Sequence, residues 1–383
     1  MDFELSEDQK ILKDNVRRFM DKEIIPFVPE YEDQRKVPPR SLMKKLLPFG
    51  YIGSTLPEEH GGFGSDLFTF CILVEELARA WGSLRTIITV DNMVTTMIYK
   101  YGTEEQREKF LPLLTTLDYI AAFGLTEPNV GSDASSVETT AVKDGDDYIL
   151  NGTKTLITNG SIADLVCVYA STDRSKKGKG VSAFLVEKKE SPFKASDIPK
   201  MGLRCSVLSE LVFEDCRVPK ENMLGGEGNG LKLALSGLNT GRCVVTFGVV
   251  GVGQACLEAC IKYAKERYQF GRAIGSFQLV QAMIAEMAME LDAARLMGYR
   301  AASMVDQGKR CDREASFAKL FATEAVVHIA DRAIQVHGGY GYTEEFPVER
   351  YYRDVRHLTM AEGTSEIQRL IIGRDILGIS AFV

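Results

Sequence analysis

The chain has little of what several common chemistries need. Its four histidines (60, 328, 337 and 357) are scattered over 383 residues, with no HxxxH or similar pair, so a zinc site has no support. The eight cysteines (71, 167, 205, 216, 243, 256, 260 and 311) form no CxxC pair and no regular disulfide spacing. That pattern fits a reducing compartment, and Cys256 with Cys260, spaced i, i+4, fits small helical core positions. No GxSxG elbow exists, which leaves serine hydrolysis unsupported. Basic runs are absent and the net charge is -7 with a pI near 5.4, against a nucleic-acid partner. No apolar stretch reaches membrane-spanning length, since residues 243–253 are short and Gly-rich. The start Met1-Asp2-Phe3-Glu4-Leu5 lacks a signal-peptide pattern, so a cytoplasmic protein without membrane insertion is expected.

A chain of this length exceeds one ordinary core, and its pattern changes twice. Residues 1–118 read as helical. Ser6 with Gln9, and Thr103 with Gln106, make capping boxes ahead of apolar residues at helical spacing, and residues 68–81 and 84–101 carry further apolar faces. Residues 119–230 shift to short alternating runs such as Leu165-Val166-Cys167-Val168-Tyr169, with Asp144-Gly145-Asp146-Asp147 and Asn151-Gly152 read as turns. Ser175-Lys176-Lys177-Gly178-Lys179-Gly180 reads as a solvated hairpin tip. Residues 231–383 return to long helices, with 282–305 and 312–337 rich in Ala, Met and Leu at i, i+3, i+4 spacing. The expected fold class is α+β: an N-terminal helical domain, a compact β-domain and a C-terminal helical bundle.

Gly251-Val252-Gly253 resembles a dinucleotide fingerprint but fails on context. Cys256 stands where the third glycine belongs, and no βαβ unit surrounds it, so close helix packing is the better account. Other segments suit a flat polar heterocycle with a phosphate tail. Phe123-Gly124-Leu125-Thr126-Glu127-Pro128-Asn129-Val130-Gly131-Ser132-Asp133 is a polar turn after an apolar run. A hairpin from Asn151 ends in Ile157-Thr158-Asn159-Gly160. Arg267 and Arg272, with Phe270, Gly271 and Gln278, offer cations for a pyrophosphate. Gln335-Val336-His337-Gly338-Gly339 ends a helix in glycines that admit a ligand to the backbone. Each alone reads as a turn or a cap.

The densest segment is Met360-Ala361-Glu362-Gly363-Thr364-Ser365-Glu366. Locally it is a helix start, with Thr364 or Ser365 as cap and the acids complementing the dipole. Glu362 also follows an apolar stretch, and desolvation raises a carboxylate's pKa toward what a base for a weak carbon acid needs.

Taken in order, these segments resemble the acyl-CoA dehydrogenase family over essentially the whole chain. The match rests on Thr126-Glu127-Pro128 with Gly131-Ser132-Asp133, the Ile-Thr-Asn-Gly hairpin, Arg267 with Phe270-Gly271, and the Glu362-Gly363-Thr364-Ser365 box. Met201-Gly202-Leu203-Arg204 and Val218-Pro219 with Met223-Leu224-Gly225 add to it. The resemblance implies FAD between the β-domain and the C-terminal bundle. Phe123, Leu125, Thr126, Ser132, Ile157 and Thr158 would line the isoalloxazine. Arg267, Phe270, Gln278, Gln335 and Gly339 would hold the pyrophosphate and adenine side across a subunit contact, with Thr364 and Glu366 completing the site. Ser132, Asn239, Arg242 and Gly363 would meet the CoA thioester. It further implies a homotetramer, an electron-transfer flavoprotein as acceptor, and Glu362 as the base.

Three departures bear on substrate. Leu156 stands where the family usually has Trp, and Ala361 where it usually has Tyr. Asp91 replaces a neutral or weakly basic polar residue on a helix that lines the acyl pocket. Asp91 reads either as a local hydrogen-bonding group or as a second carboxylate base, available for proton loss further along the acyl chain. The second reading leans toward a cyclic acyl-CoA such as cyclohexane- or cyclohex-1-ene-carboxyl-CoA, in alicyclic or aromatic compound degradation. The alternatives are a short or branched-chain acyl-CoA dehydrogenase using Glu362 alone, and a non-redox lyase or CoA-binding protein on the same fold.

Overall fold

Both capping boxes form as their residues dictate. In the computed structural model, which describes residues 4–381, the Ser6 hydroxyl accepts from the Gln9 N–H and the Gln9 side chain accepts from the Ser6 N–H, opening helix α1 (Glu7–Glu23). Thr103 and Gln106 repeat this for α6 (Glu104–Thr115). Between them lie the short α2 (Val28–Gln34) and α3 (Arg40–Lys44), then α4 (Leu67–Ala80) and α5 (Gly82–Tyr101). Helices α4 and α5 are buried on almost every face, because they sit at the centre of the molecule with the other layers on both sides.

The middle of the chain forms one mixed sheet. Its strands are β1 (Ala121–Gly124), β2 (Thr140–Asp144), β3 (Asp147–Thr158), β4 (Leu165–Ser171), β5 (Val181–Glu187), β6 (Lys194–Asp197), β7 (Leu208–Pro219) and β8 (Met223–Leu224). The order is β6-β7-β3-β2-β4-β5-β8, with β1 parallel to β4. Strands β4 and β5 are buried on both faces, as their unbroken apolar runs require.

One reading of this region changes. Asn151-Gly152 is not a turn but a bulge inside the continuous strand β3, where pairing with β7 slips between Leu150 and Gly152. Gly152 takes φ +151, and a Cβ there would overlap Thr139. The lysine-rich segment is the exposed tip of the antiparallel β4–β5 hairpin, where Ser171 pairs with Val181, and it winds into a 3-10 turn over Arg174–Gly180 whose first turn is fixed by Asp173 accepting from the Ser175 N–H.

After α7 (Gly230–Ser236), the antiparallel helices α8 (Leu238–Glu266), α9 (Gln278–Asp306) and α10 (Asp312–His337) build the bundle, completed by α11 (Val348–Val355) and α12 (Ser365–Leu377). Two short strands, β9 (Tyr268–Gln269) and β10 (Arg272–Ala273), pair in the α8–α9 connection. The Gly251-Val252-Gly253 stretch serves packing. A Cβ on Gly251 would fall on the Glu75 carbonyl of α4, and one on Gly253 would press Leu291 and Val326. Counted whole, α8 is long and apolar enough to cross a membrane, but 72% of its apolar window is buried among the other helices. All eight cysteines are buried and free.

Candidate active site

Glu362 lies in the link between α11 and α12. After a 3-10 turn at Arg356–Thr359 the chain enters the left-handed region at Glu362 (φ +53) and Gly363 (φ +89). For a residue with a side chain this costs about 1 kcal/mol. Thr364 then caps α12, its hydroxyl accepting from the Ile367 N–H at 3.3 Å. Cap and catalyst are thus separate residues: Thr364 satisfies the helix start, and the reversal at Glu362 turns its side chain inward. There Glu362 Oε2 occupies the place a Cβ of Gly241 would take on α8. The reversal is held by donors from elsewhere: the Gln368 amide donates to the Glu362 and Gly363 carbonyls at 3.3 and 3.0 Å, and Lys319 Nζ of α10 donates to the Gly363 carbonyl at 2.9 Å.

Burial is the largest influence on Glu362 and raises its pKa; Arg85, Lys319 and Arg242 each pull it back down. Arg242 Nη1 donates to Asn239 Oδ1 at 2.9 Å, and Asn239 Nδ2 donates to Asp312 Oδ1 at 3.0 Å. Two of the four residues expected to meet the CoA thioester, Asn239 and Arg242, therefore form one assembly, a helical turn apart on α8, beside the carboxylate. Arg85 of α5 is 4% exposed and its guanidinium has no hydrogen-bond partner among the described residues. Burial lowers its pKa to about 10 against the pull of Glu362 and Asp354. Gly248 leaves it room, since a Cβ there would stand 3.1 Å from the Arg85 guanidinium carbon.

Asp91 sits on another face of α5. Its Oδ1 accepts from the Ala121 N–H at 2.6 Å, while Oδ2 is buried without a partner. Burial raises its pKa to about 8; its charged neighbours are Asp164 and Arg40, none of them shared with Glu362. The hydrogen bond of Asp91 is not a local one within α5 but reaches the start of β1, and it uses one oxygen of the two.

The loop after β1 is held by a buried ion pair. Lys154 Nζ of β3 contacts Glu127 Oε1 at 2.6 Å and donates to the Leu125 carbonyl at 3.2 Å, while Glu127 accepts from the Glu138 and Thr139 N–H groups. Glu127 is thus committed to shaping the loop. The Thr155 N–H also donates to the Thr126 carbonyl at 2.9 Å. The hydroxyls of Thr126, Ser132 and Thr158 have no partner within the described chain, and Phe123 and Leu125 are half-buried beside them. Ile157 is packed into the sheet core, so it offers a ligand its backbone rather than its side chain.

At the bundle end, the Arg267 guanidinium lies 5.5 Å from the Tyr340 ring, bringing the Arg267 segment onto the His337-Gly338-Gly339 turn. Gln278 and Gln335 are exposed, a Cβ on Gly339 would meet nothing within 4 Å, and Phe270 is 93% exposed. Glu366 pairs with Arg369 at 3.3 Å. Unused hydroxyls on the loop after β1 and at the end of β3, and an open glycine turn beside the Arg267 guanidinium, fit a flavin and its pyrophosphate.

Arg85, Gly241, Lys319 and Gln368 were not singled out from the sequence. The available signal was a lone cation within an apolar helical run, Leu84-Arg85-Thr86 and Ala318-Lys319-Leu320.

Family models for the N-terminal, middle and C-terminal domains of acyl-CoA dehydrogenase match residues 6–118, 122–216 and 228–377. A glutaryl-CoA dehydrogenase of Desulfococcus multivorans is 39% identical over 384 residues, covering 99% of each chain. The butyryl-CoA dehydrogenase structure from Megasphaera elsdenii superposes with a TM-score of 0.94 at 38% identity, covering 98% of this chain and 100% of that one. A glutaryl-CoA dehydrogenase from Mycobacterium smegmatis in complex with FADH2 gives 0.93 at 33% identity, covering 99% and 97%. The chain belongs to the acyl-CoA dehydrogenase family. It is an oxidoreductase of that family, and FAD is the family's cofactor.

Proposed function

We propose that the protein dehydrogenates an acyl-CoA thioester, with the Glu362 carboxylate taking the proton from the carbon next to the thioester carbonyl. The observation that carries this is the inward-facing Glu362, wedged against Gly241 within the field of Arg85, Lys319 and Arg242. Burial keeps the carboxylate basic, and the three cations keep enough of it ionised to act. The Glu362 N–H supplies a donor for the thioester carbonyl. Phe123, Leu125, Thr126, Ser132 and Thr158 would hold the flavin ring, and Arg267, Gln278, Gln335 and Gly339 its pyrophosphate and adenine side. FAD, when bound, accepts the hydride that leaves the neighbouring carbon. Electrons then pass to an electron-transfer flavoprotein, and the exposed Phe270 supports assembly as a homotetramer.

For the substrate we favour a cyclic acyl group. Asp91 supports this: a buried carboxyl with a raised pKa and one free oxygen, on the helix that also carries Arg85. A second carboxylate base permits proton loss from a ring carbon beyond the first. A second reading rests on Arg85. A buried guanidinium without a partner suits an acyl chain ending in a carboxylate, as the name glutaryl-CoA describes for two of the relatives.

Anaerobic mixing with butyryl-, glutaryl-, cyclohexanecarboxyl- and cyclohex-1-ene-carboxyl-CoA tests all of this. Dehydrogenation bleaches the flavin, and a lyase leaves it yellow. Glu362→Gln should keep FAD and lose about 10³-fold in bleaching rate. Asp91→Asn should slow only the cyclic substrates. Undiminished activity of Asp91→Asn on every substrate turned over would sink the second-base reading.

A further inference from the structure

We propose that Lys319 is a positioning residue for the base, fixing the left-handed turn at Glu362 through the Gly363 carbonyl and setting the carboxylate's proton affinity; this rests on Glu362 being the base.

Lys319 is fully buried on α10, and its ammonium makes one hydrogen bond among the described residues, to the Gly363 carbonyl at 2.9 Å. Its one polar contact among the described residues is thus a carbonyl and not a carboxylate. A buried cation in such a setting is expensive unless nearby negative charge compensates it. The charged groups that face it are Glu362, Glu324 and Glu366, with Arg242 opposing. Burial moves its pKa down to about 8, and Glu362 is the foremost influence holding it up. Around Glu362 itself, α5 contributes Arg85, α8 contributes Arg242 and α10 contributes Lys319, all of them cations. The arrangement is specific to the base. The carbonyl that Lys319 grips follows directly on Glu362, in the segment where φ is +53 and then +89. A neutral donor would hold the same carbonyl, and the Gln368 amide already does so at 3.0 Å. What Lys319 adds is a second tether from a different helix and a positive charge.

Lys319→Met removes tether and charge at similar length, and Lys319→Gln restores a donor without the charge. Both should retain FAD, because the Gln368 tether remains. The limiting rate of anaerobic flavin reduction should fall about 10-fold or more in Lys319→Met, with a smaller loss in Lys319→Gln. In both, the ascending limb of the pH–rate profile should move to higher pH by about half a unit to one unit, since loss of a cation makes the carboxylate harder to ionise. A limb at the wild-type pH in both variants, with any rate loss tracking FAD content or Tm, would overturn the proposal. Glu362→Gln, run in parallel, separates the two layers: if it still bleaches the flavin at the wild-type rate, the base assignment itself is wrong.

Discussion

The Glu362 carboxylate and Gly241 share one volume: Oε2 of the acid occupies the place where a Cβ on Gly241 would stand. Gly241→Ala should therefore displace the base without touching the flavin loop. We expect FAD content to hold and the flavin-reduction rate to fall about 10²-fold, the scale of a misplaced reacting group. Stopped-flow reduction checks it; an unchanged rate would mean that the carboxylate works from another position.

This contact also marks where sequence reading stopped. The capping boxes of Ser6 and Thr103 are local, since every interacting atom lies within three residues, and they form as read. The Glu362 box was legible for the same reason, being one short segment. Gly241, Arg85 and Lys319 come from α8, α5 and α10, and only the meeting of those helices gives them a role. Asn151-Gly152 failed differently. A glycine with positive φ suits a turn and a bulge equally, and the pairing with β7, some sixty residues on, decides between them.

Lys154 and Glu127 bear the loop after β1, and both are buried. Lys154→Met leaves a buried carboxylate unpaired, which costs about 3–5 kcal/mol in comparable cases. The variant should unfold several degrees lower and purify with sub-stoichiometric FAD. Adding Glu127→Gln should recover much of both losses, because the stranded charge is then gone. Differential scanning calorimetry and the visible flavin absorbance report the two effects. A double variant no better than the single one would mean that the pair acts through shape rather than charge.

Asp91 links stability to pH. Burial raises its pKa from the ordinary 3.8 to about 8, so the folded state binds its proton more tightly than the unfolded chain does. The stability it contributes is fully present below pH 3.8 and is lost as pH rises toward 8. Asp91→Asn mimics the protonated acid and keeps an oxygen for the Ala121 N–H. The melting temperature of Asp91→Asn minus that of the wild type should be more positive at pH 8.5 than at pH 5, by about 2 °C or more. Parallel melting curves for both proteins across that range would show the carboxyl to be ordinary.

Phe270 is 93% exposed in a left-handed turn (φ +51), and along the same connection Tyr268 is 62% and Leu279 80% exposed. Its ring has one aromatic partner among the described residues, Phe277, at 6.1 Å between centroids. So many large apolar side chains around one turn mark a surface that another molecule covers. The proposed assembly with a second copy of this chain would cover it and would enclose FAD's adenine side between subunits, beside Arg267 and the open glycines. Phe270→Asp should lower the mass found by light scattering at micromolar protein, and the FAD-to-protein ratio should fall with it. An unchanged mass together with full flavin content would remove the subunit contact from the cofactor site and leave Arg267 and Gly339 to hold the pyrophosphate within one chain.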